Sequence, residues 1–233
     1  MDRSFRLLVV FEKVFKVKFS RELGEIMAET RCDYSDLMRV VVEFGERYGF
    51  GRGCGHVFKV RDLALRIFDE LKRLGLHDMG SGEKFWLEAA AILHDIGVPI
   101  DEKCHNWASR DLILSSRELK EVLDYLDLRA VAWIAFFHRG KLDPFKFQDE
   151  KWREVFESEY GENVVKLAAV LRIADALDRS LRQVVENVEL ERKDNVLLIK
   201  VYSEENATIE ISRACEKAQL FERVFNIKLE VSQ

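Results

Sequence analysis

Two helix-forming stretches end in the same way. Ala89-Ala90-Ala91-Ile92-Leu93 runs into His94-Asp95-Ile96-Gly97, and the apolar run Ala130 to Phe137 runs into His138-Arg139-Gly140. A helix that is apolar on every side must be buried, so its last turn delivers His, Asp or Arg into or beside the core. An ionised carboxylate there is costly unless something pairs with it. A bound metal or a basic neighbour meets that need. A third stretch, 163–184, places Arg172, Asp175, Arg179 and Arg182 on one face at spacings of three and four. Two readings of that face stand: an intrahelical ion-pair network, or one carboxylate ligand among arginines that grip phosphate oxygens in pairs.

The remaining histidines are read one by one. His56 lies one turn before Val60 on an apolar stripe, as a core histidine or a ligand. His105, beside Cys104, is a helix-entry residue, a pH-sensitive surface group or part of the same cluster. His77-Asp78, in a polar loop with glycines, is assigned to the surface. The ordered set that carries chemistry is His56, His94-Asp95, His105, His138 and Asp175.

The elements that position this set are mostly helical. Apolar residues recur at spacings of three and four over 4–17, 20–29, 33–48, 56–74 and 85–96. Further helices are expected at about 107–115, 117–126, 128–139, 149–158 and 163–184. The pattern then changes: 188–192, 196–202 and 207–212 alternate like strands, 213–225 is helical, and 227–231 is a last strand. The reading is a helical domain over 1–185, in which 1–36 is an amino-terminal extension, followed by a small α+β domain over 186–233. Among 233 residues there are two prolines and no CxxC pair, and Cys32, Cys54, Cys104 and Cys215 are scattered. A disulfide scaffold is therefore not expected, and a cytoplasmic location is. The net charge of −5 argues against general nucleic-acid binding. No apolar run reaches membrane-spanning length.

The order His … His-Asp … Asp on separate helices resembles the HD-domain metal-dependent phosphohydrolases. Residues 37–74, 86–114, 130–143 and 165–231 resemble, more closely, the C-terminal half of the exopolyphosphatase / guanosine pentaphosphate phosphohydrolase family. The likeness rests on Phe44 to Gly49, His56 to Leu71, Leu93-His94-Asp95-Ile96-Gly97, Phe137-His138-Arg139, Leu171 to Ser180, and Glu216 to Phe225. It implies a mainly α fold, a helical HD-type bundle followed by a small α+β domain.

The resemblance also implies a ligand set: His56, His94, Asp95 and Asp175 for one divalent ion, with Asp95 bridging to a second held by His105 and His138. Mixed imidazole and carboxylate donors suit Mn²⁺, Fe²⁺, Co²⁺, Ni²⁺ or Mg²⁺. The family's His-rich run is reduced here to Cys104-His105-Asn106, which favours one ion over two. His94 and Asp95 are the expected catalytic pair, and Arg139, Lys141, Arg172 and Arg179 the expected phosphate contacts. The activity implied is hydrolysis of a nucleotide, a guanosine polyphosphate or inorganic polyphosphate. The family usually carries two actin-like ATPase lobes ahead of this half, and 233 residues are too few for them. Two rivals follow: a regulatory module that binds polyphosphate without cleaving it, and a subunit of a separate ATPase-like chain. Phe5, Phe11, Phe15 and Phe19 would supply docking, core packing or self-association, with a homo-oligomer as the expected state.

Overall fold

The computed structural model describes residues 34–140, 155 and 158–233. The expected helices at 4–17 and 20–29, the amino-terminal phenylalanines, Cys32 and Lys141 lie outside the described residues, as does most of 149–158. Residues Met38–Gln233 form one compact unit.

Eight helices precede or flank a three-stranded sheet among the described residues. They are α1 (Tyr34–Arg47), α2 (Cys54–Arg73), α3 (Ser81–Leu93), α4 (His105–Ser115), α5 (Arg117–Val122), α6 (Tyr125–Phe137), α7 (Gly161–Ala176) and α8 (Thr208–Phe225). The strands are β1 (Asn187–Lys193), β2 (Val196–Tyr202) and β3 (Lys228–Ser232), in the order β1-β2-β3. β1 pairs antiparallel with β2, and β2 pairs parallel with β3, with α8 as the crossover. The fold is mainly α with a small α+β part at the C-terminal end.

The centre of the bundle is α3, α6 and α7, packed on one another and flanked by α2 and α4. Burial explains their composition. In α6 every residue from Ala130 to Phe137 is buried, and in α3 every residue from Ala89 to Leu93 is fully so. Such helices have no polar face to give to water, and they stand upright only because neighbours surround them. The strands show the two-residue alternation of a half-buried sheet, with Val188, Leu190, Leu197, Ile199, Val201 and Leu229 facing inward.

Several boundaries differ from the sequence reading: α5 ends at Val122 and not at 126, α6 begins at Tyr125 and not at 128, and three further differences have a visible cause. Helix α3 starts at Ser81, because its polar first turn tolerates water and Glu83 accepts the Gly80 backbone N–H at 2.8 Å. Helix α7 stops at Ala176 and not at 184. Asp178 accepts the Gln183 backbone N–H at 2.8 Å, and Leu181 and Gln183 take φ of 61° and 56°. The side chain thus captures a donor that a continued helix would have used. Residues 207–212 are not a strand but the entry to α8. The alternation Ala207, Ile209, Ile211 competes there with a helical stripe, Ala207, Glu210, Ala214, Ala218, Phe221 and Phe225. The stripe is buried and Ile209 is left exposed. Packing decided between two periods that six residues cannot separate.

Candidate metal centre and anion cleft

The site is built at the ends of helices, where backbone carbonyls lack partners. His94 follows the last residue of α3 and brings Nδ1 to 2.8 Å from the Ala91 carbonyl. His138 does the same after α6, with Nδ1 2.5 Å from the Ala135 carbonyl. In each case the ring satisfies an orphan carbonyl and fixes its own tautomer, with the proton on Nδ1; His94 Nε2 is left without a partner, and His138 Nε2 stands 3.2 Å from His105 Nε2. His105, at the first position of α4, places Nδ1 2.8 Å from the Glu102 carbonyl. Arg139 Nη1 also stands 2.8 Å from that nitrogen, so the tautomer decides which of the two it serves. His56 on α2 places Nδ1 2.9 Å from Asp178 Oδ2, a carboxylate with no solvent exposure.

The four Nε2 atoms and Asp95 converge. His56, His94 and Asp95 offer ligand atoms within 4.8 Å of one another, and so do Asp95, His105 and His138. Asp95 belongs to both groups and presents a different oxygen to each. Oδ2 lies 3.7 Å from His94 Nε2 and 3.9 Å from His56 Nε2. Oδ1 lies 3.0 Å from His105 Nε2 and 3.7 Å from His138 Nε2. Asp175 Oδ1 joins the first group, at 3.5 Å from His56 Nε2 and 3.9 Å from His94 Nε2. The third element named from sequence therefore reaches the same point in space as the first two.

Two close approaches hold Asp95 there. Gly97 passes so near α4 that a Cβ would stand 2.3 Å from the His105 carbonyl oxygen, and its N–H donates to Ser109 Oγ at 2.9 Å. Gly51, at φ +71°, presses on the other side, where a Cβ would stand 1.9 Å from the Asp95 carbonyl oxygen.

The chemistry of the donors fits a divalent cation. His56 Nε2, His94 Nε2 and Asp95 Oδ2 are buried and have no hydrogen-bond partner. Leaving such atoms unsatisfied is costly. An ion with bonds near 2.1 Å places its ligands about 3–4 Å apart, which matches their spacing. The electrostatics agree. Burial opposes ionisation of Asp95, yet His94, His105 and His138 hold its carboxyl far below the usual range. Asp175 is held low against its burial by His56, His94 and His138. Burial opposes charge on His56 too, but Asp175, Asp178 and Asp95 push it up to about 9. His138 is pushed down to about 3 by burial and by His94. A buried carboxylate, Asp95, beside a half-buried one, Asp175, calls for positive charge, and a metal ion would supply it.

The cluster opens onto a cleft of about 1030 Å³. Eight Arg and Lys line it against four carboxylates, an excess of positive charge in a chain whose net charge is −5. Arg139 and Arg179 are among the eight. Arg172 also lines the cleft, but its nitrogens donate to the Phe137 carbonyl at 3.0 Å and the Gly140 carbonyl at 2.9 Å. It ties down the end of α6 that carries His138, and the intrahelical ion-pair network with Asp175 is not formed. Arg182 is not on this face; it pairs with Glu205 at the surface. His77 stands apart from the cluster, and it is half-buried rather than on the surface. Its ring packs on Phe68 with centroids 4.4 Å apart, and burial lowers its pKa.

Sequence reasoning missed six residues. Asp178 was visible only as part of a motif, with no sign that it turns to face His56. Arg52, between Gly51 and Gly53, brings Nε to 3.0 Å from Asp95 Oδ2. Arg213 and Lys217 reach the cleft from α8, as do Leu220 and Arg223. Their spacing of four, three and three was legible as one helical face. Burial, with Arg172 and Arg213, pushes Lys217 down to about 8.

No described helix is long and apolar enough to cross a membrane. Cys54, Cys104 and Cys215 are free, as the absence of paired spacing implied. No curated protein matches the chain. A family described as Ppx/GppA phosphatase, domain III, matches residues 41–215. That stretch holds every candidate ligand on α2, α3, α4, α6 and α7, together with the start of α8. The chain belongs to the Ppx/GppA phosphatase family, through its domain III.

Proposed function

We propose that this chain is a metal-dependent phosphohydrolase of the HD type, acting on a nucleotide, a guanosine polyphosphate or inorganic polyphosphate. One observation carries the reading: three buried ligand atoms without hydrogen-bond partners, on His56, His94 and Asp95, converge where Asp95 lines a cation-rich cleft. His56, His94, Asp95 and Asp175 would hold one divalent ion, and Asp95, His105 and His138 a second. Such an ion polarises a phosphoryl oxygen and lowers the pKa of water for attack.

The chain's own side chains do the rest. Arg139, Arg179, Arg213 and Lys217 draw a polyanion into the cleft and neutralise its oxygens. Arg172 keeps the end of α6 in place, and so keeps His138 aimed inward. Asp178 holds the proton of His56 on Nδ1 and frees Nε2. The family match supports a phosphatase in general, and the geometry supports the metal dependence.

The polyanion-binding rival is less well supported. Binding alone needs only the basic lining, and buried ligand atoms without partners would then weaken the fold for no return. A phosphate-release screen over nucleotides, guanosine polyphosphates and polyphosphate, each with Mn²⁺, Co²⁺, Ni²⁺ and Mg²⁺, tests the reading. Release should appear with at least one pair and vanish in Asp95→Ala. Polyphosphate binding without release, retained in Asp95→Ala, would establish the rival instead.

A further inference from the structure

Arg52 occupies a place that the metal reading does not explain. Its Nε stands 3.0 Å from Asp95 Oδ2, the oxygen that faces His56 and His94. That oxygen nonetheless lacks an aligned hydrogen bond, so the contact is one of charge rather than direction. The backbone around Arg52 is pinned. Gly51, at φ +71°, lies against the Asp95 carbonyl, and Gly53, at φ +101°, turns the chain into α2. The side chain is what can move; it is one quarter exposed and lines the cleft.

A guanidinium and a divalent cation a few Å apart repel each other, and little water lies between them to screen it. Both neutralise the same carboxylate oxygen. They therefore exclude one another.

We propose that Arg52 competes with the divalent ion of the His56–His94 group for Asp95 Oδ2, and that loading this ion releases the guanidinium into the cleft as a contact for an anionic ligand. The inference rests on the metal-dependent reading above. It makes Arg52 a counter-ion to Asp95 in the metal-free protein and an oxyanion contact in the loaded one. Metal and anion binding are then coupled, and the coupling is reciprocal.

Calorimetric titration of metal-stripped protein with Mn²⁺ tests this on the wild type, Arg52→Gln, Arg52→Met and Arg61→Gln. Arg61 pairs with Asp62 outside the cleft and controls for general charge. The first Mn²⁺ should bind about tenfold or more tighter to both Arg52 variants, a step of one decade in Kd. Arg61→Gln should match the wild type. Orthophosphate should bind Mn²⁺-loaded wild type several-fold tighter than loaded Arg52→Gln, and the two should agree when stripped. Equal or weaker Mn²⁺ binding in both Arg52 variants overturns the inference, because Arg52 would then support the ion. It leaves the metal reading standing, since the wild type still binds. If neither the wild type nor the Arg52 variants bind Mn²⁺, the metal reading falls and this inference falls with it.

Discussion

Asp178→Asn tests how the site is held together. The carboxylate is fully buried and both oxygens are occupied. Oδ1 accepts the Gln183 N–H at 2.8 Å, and Oδ2 takes the His56 Nδ1 proton at 2.9 Å. Asparagine fits the space but offers one acceptor and one donor. If its oxygen keeps Gln183, its NH₂ faces His56 Nδ1 and drives that proton to Nε2, the atom that points at Asp95 and Asp175. Loss of such a partner behind a ligating histidine lowers metal affinity by about 10- to 100-fold, or about 1.4–2.8 kcal/mol. Replacing a hydrogen bond to a charged group costs about 1.5–3 kcal/mol of stability. At about 2–4 °C per kcal/mol, Tm falls by about 3–12 °C. Calorimetric titration with Mn²⁺ and a thermal melt of the metal-free protein read the two effects separately. The ion held by Asp95, His105 and His138 should be far less affected. If the folded variant binds Mn²⁺ as tightly as the wild type at both positions, Asp178 does not set the His56 tautomer and the reasoning is refuted.

Other outcomes follow from the same geometry. Gly51→Ala must place a Cβ against the Asp95 carbonyl at positive φ; the backbone conformation alone costs about 1–2 kcal/mol, and the melt should show a lower Tm together with weaker Mn²⁺ binding. Saturating Mn²⁺ should raise Tm: at 100 times Kd the gain is about 2.7 kcal/mol, which EDTA should reverse, and Asp95→Ala should show none of it. Lys217 is charged below about 8 and neutral above it. Sulfate, whose charge is constant over this range, should therefore bind less tightly as pH rises through 8. Lys217→Gln should flatten that step, and an unchanged pH profile in the variant would remove Lys217 from the cleft's anion contacts.

Much of the site could be read before any coordinates. The two all-apolar helices that end in His94-Asp95 and His138-Arg139 had to be buried, so their terminal polar groups had to meet something inside. Helical period placed Asp175 at the edge of a core stripe. His77 was separated from the others by its polar surroundings, although its half-burial against Phe68 was not foreseen. The errors fall where local pattern gives out. Six alternating residues at 207–212 serve a strand or a helix equally well, and the end of α7 was set by one side chain, Asp178, capturing a backbone donor five residues on.

What the sequence determined by itself is the inventory: which residues can ligate, which helices must be buried, and that the chain is mainly α with a small α+β end. These follow from composition and period, which are local. Tertiary structure decided the assignments that depend on distance. It gave Asp95 one oxygen for each histidine group, and it turned Arg172 onto the end of α6 rather than towards Asp175. It also brought Arg213 and Lys217 to a site whose ligands lie far away along the chain, and set Arg52 against Asp95. Convergence of groups from separate helices is a property of packing, and no window of sequence contains it.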